Sequence, residues 1–310
     1  MVYTVDMKDQ EMTTEMLNQT MTLADGRILG YAQSGDPKGT PLFLFHGLNS
    51  SRLEANIVHT QMLKAGIRCI GVDRPGIGLS TFQKDREILD FVDDVVTLAD
   101  SLGIEKFSVM GISAGTSYTL ACTYKIPQRL ISCTIISGVA PVFKYGTEEM
   151  SKESSAFISV AQNMPWLVEP IFWLTQERFS HDKTKEDQFL ESIMRTLDDV
   201  DIKLVEDLSV KRLLLETFRE SYRQGSSGVA CDGTLVFGKP WGFNIEEINF
   251  SPIYFWHGAK DKGIPLDKIQ AMTKDISNAT LKIYPNEGHL SLPFNQIDEI
   301  VAKITILKPL

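Results

Sequence analysis

The sequence predicts an α/β fold in which a mostly parallel, twisted sheet is covered by helices on both faces. Two observations lead to this prediction. Short apolar runs of strand length alternate along the chain with longer segments whose apolar residues recur at helical spacing. Small, polar and charged residues follow these runs directly, as expected at the carboxyl ends of parallel strands, where functional sites form.

The predicted elements follow one another in a regular order. Apolar runs predict strands at 41–45, 67–73, 106–112, 131–139, 254–258 and 281–284. Helical spacing and helix signals predict helices at 90–103, at 115–125 and from about residue 265. Pro127 ends the second of these helices, because proline cannot continue the hydrogen-bonded ladder.

The alternation of strands and helices breaks over residues 142–249. Helix-like stretches occur there at 152–163, 185–197 and 210–223. This pattern predicts a helical cap inserted into a core that is made of residues 1–141 and 250–310. The aromatic residues Trp166 and Trp173 of this segment either pack inside the cap or line an apolar substrate pocket, and we carry the pocket forward as an expectation.

Composition and charge disfavour several classes of function. The net charge of −9 argues against nucleic acid and anionic membrane surfaces as partners. No apolar stretch reaches the length of a membrane helix, and residues 1–20 lack the basic start and apolar centre of a secretory signal. The four cysteines have no paired spacing, which favours reduced thiols and a cytoplasmic location. No metal-ligand spacing or dinucleotide motif is present, so neither a metal nor a cofactor is expected.

The most informative motif is the pentapeptide Gly111-Ile112-Ser113-Ala114-Gly115, which follows a predicted strand and opens a predicted helix. A serine hydroxyl is a poor nucleophile unless it is exposed, beside a base and near an oxyanion site. A Gly-x-Ser-x-Gly turn between a strand and a helix provides the exposure, with glycines where a Cβ would collide with neighbours. The alternative is an ordinary serine at a strand–turn–helix junction, so the assignment of Ser113 depends on its context.

Two further residues complete a set of nucleophile, base and acid. Asp261 and His289 each follow a predicted strand, and the chain order Ser113, Asp261, His289 is one in which such sets occur. An imidazole can deprotonate serine when a carboxylate fixes its tautomer and stabilises its cation. Asp261 leaves room for one helix and one strand before His289, and we prefer it as the acid over Asp232, Asp267 and Glu287. Asp261→Asn is therefore expected to lower kcat by about 10⁴-fold, whereas the same substitution at Asp232 or Asp267 is expected to leave kcat nearly unchanged.

The loop after an earlier strand supplies a candidate oxyanion site. Acyl transfer needs two backbone N–H groups that point at the developing oxyanion. Ala114, directly after the candidate nucleophile, supplies one, and Leu48 supplies the other. Gly47 lets the backbone turn the second N–H inward. We interpret His46 as a buried structural histidine that hydrogen-bonds the loop backbone, because His289 is better placed as the base.

These motifs together resemble the α/β-hydrolase superfamily, and within it the branch with cap domains. The resemblance covers nearly all of residues 20–305 and is carried by His46-Gly47, Asp73–Ser80, Gly111–Gly115, Gly258–Asp261 and Gly288-His289. It implies Ser113 as nucleophile, His289 as base and Asp261 as acid. It also implies Leu48 and Ala114 as oxyanion donors. A serine in place of an aspartate nucleophile argues against the haloalkane dehalogenase and epoxide hydrolase branches.

The sequence thus favours a cofactor-free serine hydrolase that cleaves a small to medium, largely neutral ester or amide through an acyl-enzyme. Fold likeness alone leaves other enzymes open, namely a proline-iminopeptidase-like aminopeptidase, a C–C bond hydrolase and a cofactor-free haloperoxidase-like enzyme. A small-molecule binding or signalling protein on the same scaffold is an alternative of another class. We expect a small-molecule substrate and a monomer or a homodimer.

Overall fold

The computed structural model describes residues 13–179, 190, 193–194 and 197–305. Its centre is a sheet of eight strands in the order β1-β2-β4-β3-β5-β6-β7-β8. The strands are β1 Gln19–Thr22, β2 Ile28–Gly35, β3 Thr40–Phe45, β4 Ile67–Val72, β5 Phe107–Ile112, β6 Leu130–Ile136, β7 Ile253–Gly258 and β8 Ala279–Tyr284.

The strands β3 to β8 run parallel to one another, which confirms the prediction of a mostly parallel sheet. Parallel strands place their carboxyl ends at one edge of the sheet. Four of these ends are Phe45, Ile112, Gly258 and Tyr284, and each is followed within five residues by a residue of the predicted site. The topology therefore gathers segments that are far apart in the chain.

Strands β1 and β2 form an antiparallel hairpin that the sequence patterns did not predict. β2 also pairs antiparallel with β4. The hairpin turn contains Asp25-Gly26, and Gly26 has a φ of +86°, a backbone conformation that favours glycine. An Asp-Gly pair between two strands is a hairpin signal, but β1 is short and its side chains are only partly buried, so its apolar alternation is weak.

Helices connect the strands and cover the sheet. They are α1 Thr14–Leu17, α2 Glu54–Ile57, α3 His59–Lys64, α4 Asp90–Ser101, α5 Gly115–Lys125, α6 Val142–Tyr145, α7 Lys152–Asn163, α8 Val168–Phe179, α9 Asp199–Val205, α10 Leu208–Ser221, α11 Ser227–Gly233, α12 Leu266–Asp275 and α13 Ser291–Thr305. Short 3₁₀ helices lie at Pro127–Arg129, Pro165–Leu167 and Ile245–Glu247, and a π-helical turn at Thr234–Gly238. No helix among the described residues is long and apolar enough to cross a membrane.

The predicted helices agree with the structure where the structure describes them. The bounds of α5 and α7 are those that the sequence predicts. The helix predicted at 210–223 begins at Leu208, because the Asp207 side chain accepts hydrogen bonds from the first backbone N–H groups of α10 and so caps it earlier. The helix predicted at 185–197 lies largely outside the described residues.

The two faces of the sheet are buried under different helices. On one face, Phe91 and Leu98 of α4 pack in a cluster with Phe43 of β3. On the other face, Ile300 of α13 belongs to a second cluster with Leu44 of β3. Full burial of an apolar side chain of this size stabilises the fold by about 1.5–3 kcal/mol. The sheet therefore holds its loops on a rigid base.

Between β6 and β7 the described residues form the helices α6 to α11 and no strand, and we call the described residues of this whole segment the helical insertion. An apolar cluster joins Ala161, Phe172 and Val229 of the insertion to Ile77 of the core. That the insertion is a cap domain bounded at residues 142 and 249 stays a prediction.

A buried ionic cluster also joins the helical insertion to the core. The carboxylate of Asp232, on α11, accepts hydrogen bonds from the guanidinium groups of Arg74 and Arg86 and, at 2.8 Å, from the Tyr118 hydroxyl. All four side chains are buried. Burial raises the pKa of a carboxyl group, but the two guanidinium groups outweigh burial here and lower the pKa of Asp232 to about 2. The cluster is therefore ionised.

Replacing Asp232 with asparagine is expected to lower the free energy of unfolding by about 3–5 kcal/mol, because two buried guanidinium groups lose their charged partner. The expectation that substitution of Asp232 has little effect on kcat stays a prediction, and the cluster adds a large expected effect on stability. Denaturant-induced unfolding measures the change. Asp267→Asn, at an exposed position of α12, is the control, with an expected change within about 0.5 kcal/mol. Equal stability of the two variants would contradict this account of the cluster.

Candidate active site

Ser113 lies at the turn between β5 and α5. Its φ is +52°, a conformation that non-glycine residues rarely adopt and that costs about 1–3 kcal/mol. The Ser113 N–H donates to the Ile136 carbonyl of β6 at 3.0 Å, and the Ser113 carbonyl accepts from the Thr116 N–H at 3.0 Å. The neighbouring strand and the first turn of α5 thus hold the strained apex that the pentapeptide predicts.

The two glycines of the pentapeptide are required by close approaches of the backbone. A Cβ at Gly111 would collide with the Thr119 side chain and with the backbone of Gly115. A Cβ at Gly115 would collide with the carbonyl of Phe45 at the end of β3. Any larger residue would therefore push α5 away from the strands that fix Ser113.

Asp261 and His289 come from the loops after β7 and β8, and their side chains are hydrogen-bonded. His289 Nδ1 lies 2.7 Å from Asp261 Oδ2. The other carboxylate oxygen of Asp261 accepts from the backbone N–H groups of Gly263 and Ile264 at 2.9 and 2.8 Å, which fixes the carboxylate. Because a carboxylate only accepts, Nδ1 carries the proton, and Nε2 is the atom that can take one.

The charges around His289 favour its protonated form. Burial disfavours an imidazolium, but the carboxylate of Asp261, together with those of Asp201 and Glu54, outweighs burial, so the pKa of His289 rises to about 8. Burial also works against ionisation of Asp261, but His289 outweighs it and lowers the pKa of Asp261 below its usual value. Asp261 thus stays ionised beside the imidazole of His289.

The loop after β3 carries His46, Gly47 and Leu48. His46 is buried, and its Nδ1 lies 2.8 Å from the Gly47 carbonyl oxygen, which confirms the interpretation of a structural histidine. Burial, and then the charge of Arg74, lower the pKa of His46 well below its usual value. Arg74 donates to the carbonyls of His46 and Gly47 at 2.6 and 3.0 Å. These bonds fix the peptide groups that precede Leu48.

Of the two predicted oxyanion donors, Leu48 lies in the cavity wall, whereas Ala114 is buried and is not among the described wall residues. Leu48 lines the same cavity as Ser113, and Ala114 precedes the first residue of α5. Within the part of the chain that the structure describes, neither N–H is hydrogen-bonded to a protein acceptor. The Gly47 N–H, by contrast, donates to Glu54 Oε2 at 3.0 Å. The role of Leu48 and Ala114 as oxyanion donors stays a prediction.

A cavity of about 450 Å³ has both Ser113 and His289 in its wall. The core also contributes Leu48, Glu54 and Ile264. Much of the remaining wall comes from apolar side chains of the helical insertion, among them Met150, Phe157, Ile158, Phe172, Leu214 and Phe237. Such a wall suits the apolar part of a small molecule.

The expectation that Trp166 and Trp173 line a substrate pocket gains no support from the structure and stays a prediction. Neither is among the described residues of the cavity wall, and they are 68% and 51% exposed. Phe172, the neighbour of Trp173 in α8, is 6% exposed and lines the cavity instead. Successive residues of a helix point about 100° apart, so α8 turns Phe172 inward and Trp173 to solvent.

Sequence reasoning missed three polar residues at the site. Glu54 lines the cavity, and burial raises its pKa to about 7. Ser137, directly after β6, donates to the His289 carbonyl at 2.8 Å. Asp201, in α9 of the insertion, accepts from the backbone N–H of His289 at 2.9 Å. The position of Ser137 after a strand was a usable signal, whereas Asp201 lies among other aspartates and has none.

The chain belongs to the alpha/beta hydrolase fold family, whose sequence profile matches residues 40–296. The uncharacterised hydrolase YcgS of Bacillus subtilis (strain 168) is 31% identical over 121 residues, which cover 39% of this chain and 41% of that protein. A candidate non-heme chloroperoxidase of Synechocystis sp. is 24% identical over 259 residues, or 81% of this chain and 85% of its own length. A thermophilic esterase from Thermogutta terrifontis, 19% identical, superimposes with a TM-score of 0.66 over 93% of this chain and 96% of its own. That likeness shows the fold alone.

His289 is expected to titrate with a pKa near 8, while the buried His46 stays neutral. Asp261→Asn removes the carboxylate that raises the pKa of His289, so that pKa is expected to fall. NMR titration of the imidazole resonances measures the pKa of His289 in the unmodified protein and in the Asp261 variant. Asp267→Asn is the control and is expected to leave His289 unchanged. If the pKa of His289 were the same in the Asp261 variant, the hydrogen-bonded pair would not exist in solution.

Proposed function

We propose that this protein is a serine hydrolase that cleaves a small to medium, largely neutral ester through an acyl-enzyme. The observation that carries the proposal is the 2.7 Å hydrogen bond between Asp261 Oδ2 and His289 Nδ1, with His289 and Ser113 in the wall of one cavity. A serine in the wall of a cavity, an oriented imidazole and a buried carboxylate are the groups that nucleophilic acyl transfer uses.

In the first half of the proposed reaction, Ser113 Oγ attacks the carbonyl carbon of the ester while His289 Nε2 takes the hydroxyl proton. Negative charge builds on the carbonyl oxygen, where the N–H groups of Leu48 and Ala114 stabilise it. His289 then gives its proton to the leaving alcohol as the C–O bond breaks. In the second half, His289 takes a proton from water, which attacks the acyl-enzyme. The carboxylic acid leaves, and Ser113 recovers its proton.

The cavity supports an apolar, uncharged acyl group of medium size. Its volume is about 450 Å³, and the insertion supplies mainly aliphatic and aromatic side chains to its wall. Among the described wall residues there is no lysine or arginine, while Glu54 and Glu153 are present. An anionic substrate would therefore be repelled, and a neutral one is favoured.

A second candidate is an aminopeptidase of the proline-iminopeptidase type, and one observation favours it. Glu153 of α7 and Glu54 of α2 both line the cavity, and a carboxylate there can bind the free amine of such a substrate. A comparison of kcat/KM between an acyl ester and an aminoacyl anilide of equal size separates the two candidates. A preference for the anilide would favour the aminopeptidase.

Ser113→Ala is expected to abolish hydrolysis of p-nitrophenyl esters, with a loss of about 10⁶-fold in kcat, because no other group replaces the nucleophile. Labelling by a fluorophosphonate probe is expected to disappear as well. Ser101→Ala, at an exposed position of α4, is the control and is expected to keep both activities. Undiminished hydrolysis or labelling of the Ser113 variant would disprove the proposal.

The cavity can be tested as the acyl pocket with two serines of α7. Ser154 is half-buried and lines the cavity, whereas Ser159 is exposed and is not among the described wall residues. Ser154→Phe is expected to fill part of the cavity and to lower kcat/KM for long acyl chains by about fourfold for each methylene that no longer fits. Short chains are expected to be little affected.

Ser159→Phe is the matched control and is expected to keep the chain-length profile of the unmodified protein. A series of p-nitrophenyl esters of increasing acyl length measures the profile. The same profile in both variants would mean that the acyl chain binds elsewhere.

A further inference from the structure

The carboxylate of Asp201, in α9 of the helical insertion, binds the backbone of the loop that carries His289. It accepts hydrogen bonds from the N–H groups of His289 at 2.9 Å, Leu290 at 3.1 Å and Ser291 at 2.8 Å. Asp201 is only 1% exposed. Three consecutive amides at the start of α13 therefore depend on a side chain that lies 88 to 90 residues earlier in the chain.

The first N–H groups of a helix have no partner within the helix, and in a buried site they need one from elsewhere. A residue just before the helix usually caps them. Here the Ser291 side chain accepts from the Gly288 N–H at 2.8 Å, and the next three amides use Asp201. Of these three amides only that of Ser291 belongs to α13, and the other two lie in the turn that leads into it. The helical insertion thus satisfies the backbone donors of this turn and of the first helical residue.

The backbone of His289 is held from two sides. Ser137 of the core donates to its carbonyl at 2.8 Å, and Asp201 of the insertion accepts from its N–H at 2.9 Å. The Asp201 carboxylate packs closely against the backbone of Gly288, because a Cβ added at Gly288 would overlap it. A small displacement of Asp201 therefore moves the peptide group from which the imidazole projects.

We propose that Asp201 is a positioning residue for His289, so that the helical insertion takes part in holding the catalytic base as well as in binding the substrate. This inference rests on the proposed function, in which His289 is the base. The same helix contacts both sites. Val205, one turn beyond Asp201 on α9, lies in the cavity wall, so an acyl group in the cavity meets the helix that holds the His289 loop.

The pH dependence of the reaction reports this role, because Asp201 contributes charge as well as hydrogen bonds. Four titratable groups act on His289 electrostatically. His257 lies in β7, Asp261 in the loop after β7, Glu54 in α2, and Asp201 in α9 of the insertion. Only neutral His289 accepts a proton, so kcat/KM rises as the pH rises toward its pKa of about 8. Loss of the Asp201 charge lowers that pKa and moves this acid limb to lower pH.

The test compares Asp201→Asn with Asp199→Asn, an exposed aspartate in the same helix. Asparagine has one acceptor oxygen, so at least one of the three N–H bonds is lost. With a short acyl ester, we expect kcat of the Asp201 variant to fall by about 10- to 100-fold with little change in KM, because the base is misplaced. We also expect its acid limb to shift to lower pH. The Asp199 variant is expected to match the unmodified protein in both respects.

Gly288→Ala disturbs the same contact, because the added Cβ overlaps the Asp201 carboxylate. It serves as a second variant if Asp201→Asn does not fold. It is expected to lower kcat in the same way. NMR titration of His289 adds a readout that needs no turnover, with a lower pKa expected in the Asp201 variant only. If the unmodified protein labels and turns over as proposed but folded Asp201→Asn keeps its kcat, acid limb and His289 pKa, the inference is overturned. If the unmodified protein has no hydrolase activity, the proposed function fails. The NMR measurement still tests the inference in that case, because an unchanged His289 pKa in Asp201→Asn would refute the contact.

Discussion

The buried carboxylate of Asp232 sets the constraint on which the rest of the site depends. A carboxylate in the protein interior is tolerated only when its charge is compensated, and Arg74 and Arg86 supply that compensation from the core. Because Arg74 also binds the carbonyls of His46 and Gly47, the interaction that docks the helical insertion is the one that shapes the loop before Leu48. Docking of the insertion and the geometry of this loop are parts of one arrangement.

The electrostatic environment of His289 also combines groups from the core and from the helical insertion. Three carboxyl groups, those of Asp261, Asp201 and Glu54, act on the partly buried imidazole of His289, and together they overcome the effect of burial on its pKa. A raised pKa makes the imidazole a stronger base but reduces the neutral fraction near pH 7. In the proposed reaction, this arrangement suits turnover under mildly alkaline conditions more than in acid.

The parallel sheet, the turn at Ser113 and the hydrogen-bonded pair of Asp261 and His289 could be predicted because each follows from a local pattern at the end of a strand. The rotation of α8 about its axis could not be predicted from the sequence. Phe172 and Trp173 are both large and aromatic, and only packing of the whole helix decides which of them faces the cavity. Contacts such as that of Asp201 with His289 leave no trace in the sequence, because a carboxylate can reach a distant backbone amide without any characteristic spacing.

The contacts of helix α9 limit how the helical insertion can be replaced, both in evolution and in protein engineering. Inserted helices are attractive units to exchange between related enzymes when a new specificity is wanted. Here Val205 meets the cavity and Asp201 meets the His289 loop from one turn of the same helix. A transplanted insertion that lacks an equivalent carboxylate would bring new selectivity at the expense of turnover. With Asp201 as the positioning residue that we propose, selectivity and turnover are inherited together, and the insertion is not an interchangeable module.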